Sequence, residues 1–269
     1  MKIINHYENF PVGSILIPKD CRKDIALIYW FARTADDIAD EGELSRDERL
    51  EQLNNFEKDF LHSLEGRSDN EYFILLSETI KNRNICAQYF LDLLSAFKQD
   101  ATKNRFETFD EILDYCNRSA NPVGRILLQL FEVDDTKALL NSDKICTALQ
   151  LANFYQDAKI DFGKGRIYFP LDELKRFSVT EKMFELNENN HNIKALVKHN
   201  LQRAQILFDE GKNILNHLSG RFKLEIKLTI AGGEKILSKI EANDYDVLNY
   251  RPKLTKIDFA TILIKAFCK

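Results

Sequence analysis

Apolar residues recur along this chain at helical spacing, and no stretch of useful length alternates as a strand would. The pattern predicts a first long helix over residues 19–41, with Ile25, Ile28, Tyr29, Trp30 and Phe31 in its apolar and aromatic turns. A second helix starts at Leu44-Ser45. Ser45 is its expected N-cap, and Glu48 three residues later completes a capping box. Leu50, Leu53, Phe56 and Phe60 supply its apolar face. Residues 71–97 carry Phe73, Leu76, Ile80, Ile85, Tyr89, Leu93 and Phe97, and read as two helices broken near 82–84. Residues 106–117 are helical, Asn121-Pro122 marks an end or a kink, and 123–131 form a short, very apolar helix. A central helix is expected from Asp143, followed by short helical turns over 171–188. Long amphipathic helices cover 192–218 and 222–242, the second interrupted at Gly232-Gly233. The expectation is all-α: a single-domain bundle of about ten helices around a central cavity.

Composition narrows this further. The chain has 269 residues and is 44% hydrophobic, enough for a sizeable core. Its 38 basic and 42 acidic residues leave a net charge of −4, so nothing in the balance suggests nucleic acid as a partner. Ten Gly and five Pro are too few for the tight turns of an all-β fold. Cys21, Cys86, Cys116, Cys146 and Cys268 are odd in number and widely spaced, which suggests reduced thiols in a cytoplasm. The five His show no metal-ligand spacing. The first ten residues are polar and lack the apolar centre of a signal peptide. His6, Tyr7, Phe10 and Pro11 cover a pocket or pack on the surface. No apolar run reaches the roughly 18 residues that would span a membrane. Near the end, Ile257, Ala260, Ile264 and Phe267 fall at helical spacing among lysines. They suit a last core helix, or one lying on the inner face of a membrane, so peripheral membrane contact stays open.

The candidate chemistry lies in two acidic stretches. Asn153, Asp157 and Asp161 stand at i, i+4 and i+8 within LQLANFYQDAKIDFGKGRIYFP, residues 149–170. On one helix they form a polar ladder roughly 12 Å long. Alone, such a ladder reads equally well as a solvated stripe. Asp36 and Asp40 are again four apart, with Asp37 and Glu41 beside them, after an apolar and aromatic run. Two such clusters far apart in sequence suggest facing helices that share a cation. Oxygen ligands without His or Cys point to Mg²⁺, with a phosphate completing its coordination. Arg33, Lys164 and Arg166 are placed to assist the departure of a diphosphate. Tyr29, Phe31, Phe154, Tyr155 and Tyr168 lie near the acidic stretches and either pack the core or stabilise a carbocation.

These residues resemble the squalene/phytoene synthase family over most of the chain. Asp36 and Asp40 fit its DxxxD motif, and Asn153, Asp157 and Asp161 fit NxxxDxxxD, followed by RIYFP at 166–170. The resemblance implies an isoprenoid synthase-type helical fold that binds an isoprenoid diphosphate between the motifs. It implies Mg²⁺ and catalytic roles at Asp36, Asp40, Asn153, Asp157 and Asp161, with Asp37 and Glu41 supporting them. It also puts Tyr29 and Arg33 against the substrate; chemistry and resemblance together add Phe154, Arg166 and Tyr168, and Gln156 and Asn121 are further candidate contacts where the chain departs from the family pattern.

The phrases HYENFPVGS, FARTADDIADEG, YCNRSANPVGR and YDVLNYRP resemble the hydroxysqualene synthase branch of the family. That branch implies hydrolysis of presqualene diphosphate to hydroxysqualene and diphosphate, with other enzymes of hopanoid synthesis as partners. Gln156 stands where condensing members usually carry Arg, and a neutral amide cannot supply that charge. Asn121-Pro122 stands where many members have Ala-Gly; Asn121 either helps hold water or caps a helix. No GxGxxG suggests a Rossmann-type NADPH site. Head-to-head condensation of prenyl diphosphates is the enzymatic alternative. A non-catalytic scaffold is the other, and the intact carboxylates of both motifs weigh against it.

Overall fold

Side-chain caps start many of the helices in the computed structural model, which describes residues 16 and 18–267. Ser45 Oγ accepts from Glu48 N at 3.4 Å and the Glu48 carboxylate accepts from Ser45 N at 2.8 Å, the capping box expected from sequence. Asn70, Thr108, Asp135 and Asn190 cap later helices in the same manner. His6, Tyr7, Phe10, Pro11 and Cys268, with the HYENFPVGS phrase, lie outside the described residues.

The described residues form thirteen α-helices and no strand, more helices than the pattern predicted. They are α1 (Arg22–Asp40), α2 (Arg46–Leu64), α3 (Glu71–Asn82), α4 (Gln88–Asp100), α5 (Phe109–Ser119), α6 (Asn121–Leu130), α7 (Thr136–Gln156) and α8 (Ala158–Gly163). Then follow α9 (Leu171–Arg176), α10 (Glu181–Glu185), α11 (His191–Gly211), α12 (Gly220–Ala242) and α13 (Lys256–Phe267). None is long and apolar enough to cross a membrane.

Several boundaries differ from the pattern, each for a local reason. The central helix α7 begins at Thr136 rather than Asp143, because the Asp135 carboxylate caps the amides of Lys137 and Ala138. Asn121-Pro122 opens α6 instead of ending α5. Proline is tolerated in a first turn, where its missing amide has no partner to lose. Residues 212–216 tighten into a 3₁₀ turn after α11. The helix through Gly232-Gly233 runs unbroken, and Gly233 serves close packing: a Cβ there would meet Phe208 Cζ at 2.6 Å and Leu149 Cδ2 at 2.7 Å.

Two hydrophobic clusters hold the bundle. One gathers α1 to α4 around Phe31, which is fully buried among Phe56, Phe60, Phe73 and Phe90. Burying each such ring contributes about 2–3 kcal/mol relative to leaving it exposed. The other centres on α7, which packs against α6, α11 and α12. The site lies where Arg166, in the segment after α8, reaches Asp40 at the end of α1.

Candidate active site

Helix α1 has two faces. Ile28, Phe31, Ala35 and Ala39 form its buried stripe. Tyr29, Arg33, Asp36 and Asp40 share another face and are only half-buried. Arg33 lies 3.2 Å from Asp36, 2.7 Å from Asp37 and 3.1 Å from Glu41, gathering the acids of the first motif around one guanidinium. Arg49 fixes the end of the helix. Its guanidinium donates to the carbonyls of Ile38 and Glu41 at 3.0 Å and of Gly42 at 2.8 Å, holding the turn that follows Asp40.

The second motif sits at a break. Helix α7 ends at Gln156, and Asp157 steps out of helical geometry with φ −103° and ψ 10° before α8 begins. The four-residue hydrogen bonds nevertheless persist, Asp157 N to Asn153 O and Asp161 N to Asp157 O both at 2.9 Å. The expected ladder therefore survives across two helices instead of running along one. Asn153 Nδ2 donates to Asp157 Oδ2 at 3.1 Å.

Arg166 joins the motifs. Gly165, at φ +80°, turns the chain after α8, and Arg166 N returns to Asp161 O at 2.8 Å. The Arg166 guanidinium then grips Asp40 with both terminal nitrogens, at 2.9 and 2.5 Å, and donates to the carbonyl of Asp100 at 3.2 Å. Lys164 adds a contact to Asp40 at 3.1 Å. Burial alone would raise Asp40, but the hydrogen bonds and charge of Arg166 and Lys164 outweigh it and hold this carboxyl below its ordinary range. Asp161 has no ion-pair partner among the described residues. Burial and the neighbouring Asp157 carboxylate push it up to about 7, against the pull of Arg166 and Lys164.

An aromatic wall stands beside these acids. Tyr168 stacks on Phe154 with centroids 3.7 Å apart and planes 4° from parallel; Phe106 and Tyr115 flank the pair. Phe154, Ala158, Asp161, Arg166 and Tyr168 share one narrow crevice. Burial holds the Tyr115 and Tyr168 phenols protonated, well above their ordinary range. Phe31 and Tyr155 belong to the core: Phe31 is enclosed by phenylalanines, and the Tyr155 hydroxyl donates to Asn200 Oδ1 at 3.2 Å.

Gln156 is buried, and its Nε2 donates to the carbonyl of Pro252 at 2.6 Å. It holds the segment that carries Arg251 instead of facing the crevice. Arg251 pairs through Nε and Nη2 with both oxygens of Asp157, the latter at 3.0 Å. A guanidinium thus reaches the second motif from 94 residues away, although none stands at 156. Asn121 is buried, and its Oδ1 accepts from Thr147 Oγ1 at 3.0 Å. It caps nothing, since Ala120 occupies the cap position of α6.

Sequence reasoning missed Arg251, Arg49 and Asp100. Asp100 is buried, accepts from the Tyr115 hydroxyl at 2.8 Å, and is pushed up to about 7 by burial. No motif spacing links any of these three to the groups they contact.

The donor set fits a hard cation, since every candidate ligand offers oxygen. Among the described residues no three acidic, His or Cys side chains converge on one point.

Comparison with known proteins identifies the family. The squalene/phytoene synthase family model matches residues 3–258. A hydroxysqualene synthase of Sinorhizobium fredii is 31% identical over 239 residues, covering 88% of this chain and 80% of its own. One from Rhodopseudomonas palustris is 32% identical over 255 residues, covering 94% and 85%. The crystal structure of squalene synthase HpnC from Alicyclobacillus acidocaldarius superposes with a TM-score of 0.83 at 34% identity, covering 90% of each chain. A dehydrosqualene synthase at 22% identity shares the fold, also at a TM-score of 0.83, over 94% of this chain and 88% of its own. The chain therefore belongs to the squalene/phytoene synthase family.

Proposed function

We propose that the chain is a Mg²⁺-dependent hydroxysqualene synthase, converting presqualene diphosphate and water to hydroxysqualene and inorganic diphosphate. The observation that carries this reading is the bidentate Arg166–Asp40 pair, which ties the two acidic motifs together beside the stacked Phe154–Tyr168 wall. The relatives named hydroxysqualene synthase supply the choice of substrate.

Asp36 and Asp40 would hold Mg²⁺ on one side, and Asn153, Asp157 and Asp161 on the other. When bound, the cation neutralises charge on the leaving diphosphate. The chain's own cations do related work. Arg33, Arg166 and Arg251 each rest on an aspartate of a motif and lie close enough to turn toward phosphate oxygens. The guanidinium that condensing relatives place at 156 has a counterpart here in Arg251, steadied through Gln156 and Pro252. The stacked Phe154–Tyr168 pair would give the crevice a wall of aromatic carbon that does not react with a carbocation. The Tyr168 phenol stays protonated and so offers no phenolate to trap the cation.

Purified chain with Mg²⁺ is incubated with presqualene diphosphate and, separately, with farnesyl diphosphate, in both cases without NADPH. Products are identified by mass spectrometry. Hydroxysqualene from the first and nothing from the second is expected. Presqualene diphosphate formed from the second would make the chain a condensing synthase and overturn the reading.

A further inference from the structure

Helix α13 is docked on α12 by one face only. Ile262 and Asp258, four residues apart, are the residues it buries. Asp258 accepts from Thr255 N and Oγ1 at 2.7 Å and pairs with Lys239 at 2.5 Å, which pins the start of the helix. Lys227 donates to the carbonyl of Ala266 at 2.7 Å and pins its end. The rest of the surface is open, with Lys256, Thr261 and Lys265 exposed among large apolar side chains. Ile257 is 78% exposed, Ile264 63%, Phe259 51% and Leu263 46%.

Along the segment that carries this face, the charge left over has one sign. Between residues 247 and 267 the one acid is Asp258, already neutralised by Lys239, whereas Lys253, Lys256 and Lys265 are exposed on and beside the helix. Twelve helical residues span about 18 Å, far too short to cross a bilayer but long enough to lie in its surface. Such a face also covers only about 200 Å², well below the roughly 800 Å² per partner of a stable protein interface. The face lies close to the site as well. Pro252, whose carbonyl is held by Gln156, precedes Lys256 by four residues, at most about 14 Å of chain.

We propose that the apolar face of α13, ringed by Lys253, Lys256 and Lys265, seats the protein on an anionic lipid bilayer beside the acidic motifs. The isoleucines and Phe259 enter the acyl boundary while the lysines meet anionic headgroups. A very apolar product, the one consequence borrowed from the proposed reaction, would leave the chain at such a surface.

The test is vesicle flotation of the full chain, read by protein in the floating fraction, so it needs no substrate and is independent of which reaction the site performs. Vesicles of phosphatidylcholine with phosphatidylglycerol should carry the protein upward. Vesicles of phosphatidylcholine alone, or high salt, should carry much less. Ile257→Glu/Ile264→Glu should lower the floating fraction about tenfold or more, with helical content and melting unchanged because both positions are exposed. Lys253→Gln/Lys256→Gln/Lys265→Gln should abolish the preference for anionic vesicles. Wild-type chain that stays with the vesicle-free fraction overturns the proposal. Sedimentation velocity supplies a second refutation: a dimer that Ile257→Glu/Ile264→Glu dissociates would mean that a second copy of the chain, and not a bilayer, covers this face.

Discussion

Gly232 and Gly233 are neighbours on α12, yet replacing each with alanine should shift stability in opposite directions. Alanine is favoured over glycine in a helix interior by about 1 kcal/mol. At Gly232 a Cβ would meet only Leu254 Cδ1 at 3.5 Å, an ordinary contact. Gly232→Ala should therefore gain most of the propensity difference, about 0.5–1 kcal/mol. At Gly233 the same atom would sit 2.6 Å from Phe208 Cζ and 2.7 Å from Leu149 Cδ2. Phe208 is fully buried, so its ring cannot back away without displacing the seam between α11 and α7. Overpacking of this kind costs about 1–3 kcal/mol and outweighs the propensity gain. Gly233→Ala should fall below Gly232→Ala by about 1–3 kcal/mol in urea unfolding followed by circular dichroism at unchanged m-value. Equal midpoints, or a more stable Gly233→Ala, would mean that α12 does not approach α7 and α11 as described.

Asp100 should make stability fall with rising pH. Burial lifts it from 3.8 to about 7 in the folded chain, which therefore keeps a proton that the unfolded chain releases. Its contribution is fully present below about pH 4 and lost as pH rises through about 7, a difference of about 4 kcal/mol. Asp100→Asn keeps an acceptor for Tyr115 and should flatten this slope; metal-free urea melts giving parallel pH curves for the two proteins would refute it. Arg166→Gln should cost about 2–4 kcal/mol by removing the bidentate partner of Asp40 and leaving it only the more exposed Lys164. In the double variant with Asp40→Asn much of that loss should return, and strict additivity would deny the pair its role. Gln156→Ala should lower kcat/KM on presqualene diphosphate about tenfold, near 1.4 kcal/mol, by loosening Arg251. Lost stability with unchanged kcat/KM would reduce Gln156 to a packing residue.

Much of this was legible because local signals are short-ranged. Ser45 and Glu48 announce their helix, the break near 82–84 follows from polar residues between apolar runs, and each acidic motif declares itself by four-residue spacing. What stayed hidden depends on partners distant in sequence. Asp135 looks like any surface acid, yet besides capping α7 its carboxylate lies 2.9 Å from His217 Nδ1, 82 residues on. Gly232 and Gly233 read alike, and only Phe208 and Leu149 tell them apart. Gln156 was legible as a departure from the family, but the Pro252 carbonyl that occupies it lies 96 residues on. Asp100 precedes Asn104 and Arg105 at a helix end, a setting in which sequence gives an acid no reason to be buried.

The arrangement of charge explains why those distant partners are basic. Aspartates stacked four apart repel each other, and burying them unpaired would cost several kcal/mol. Each motif is relieved from a different place. Arg33 serves the first from within its own helix, Arg166 reaches Asp40 across the site, and Arg251 reaches Asp157 from the segment before α13. Asp161 is left without such a partner, and it is the ladder member pushed up to about 7. A stable fold could have relieved the repulsion more simply, with neutral side chains at Asp40 and Asp157. Keeping the acids and bringing three arginines to them costs desolvation of every group involved. Under the proposed reaction the pairs would part, freeing carboxylates for a cation and guanidinium groups for phosphate. The same ion pairs that keep the motifs folded are therefore the ones a diphosphate with its metal would exchange.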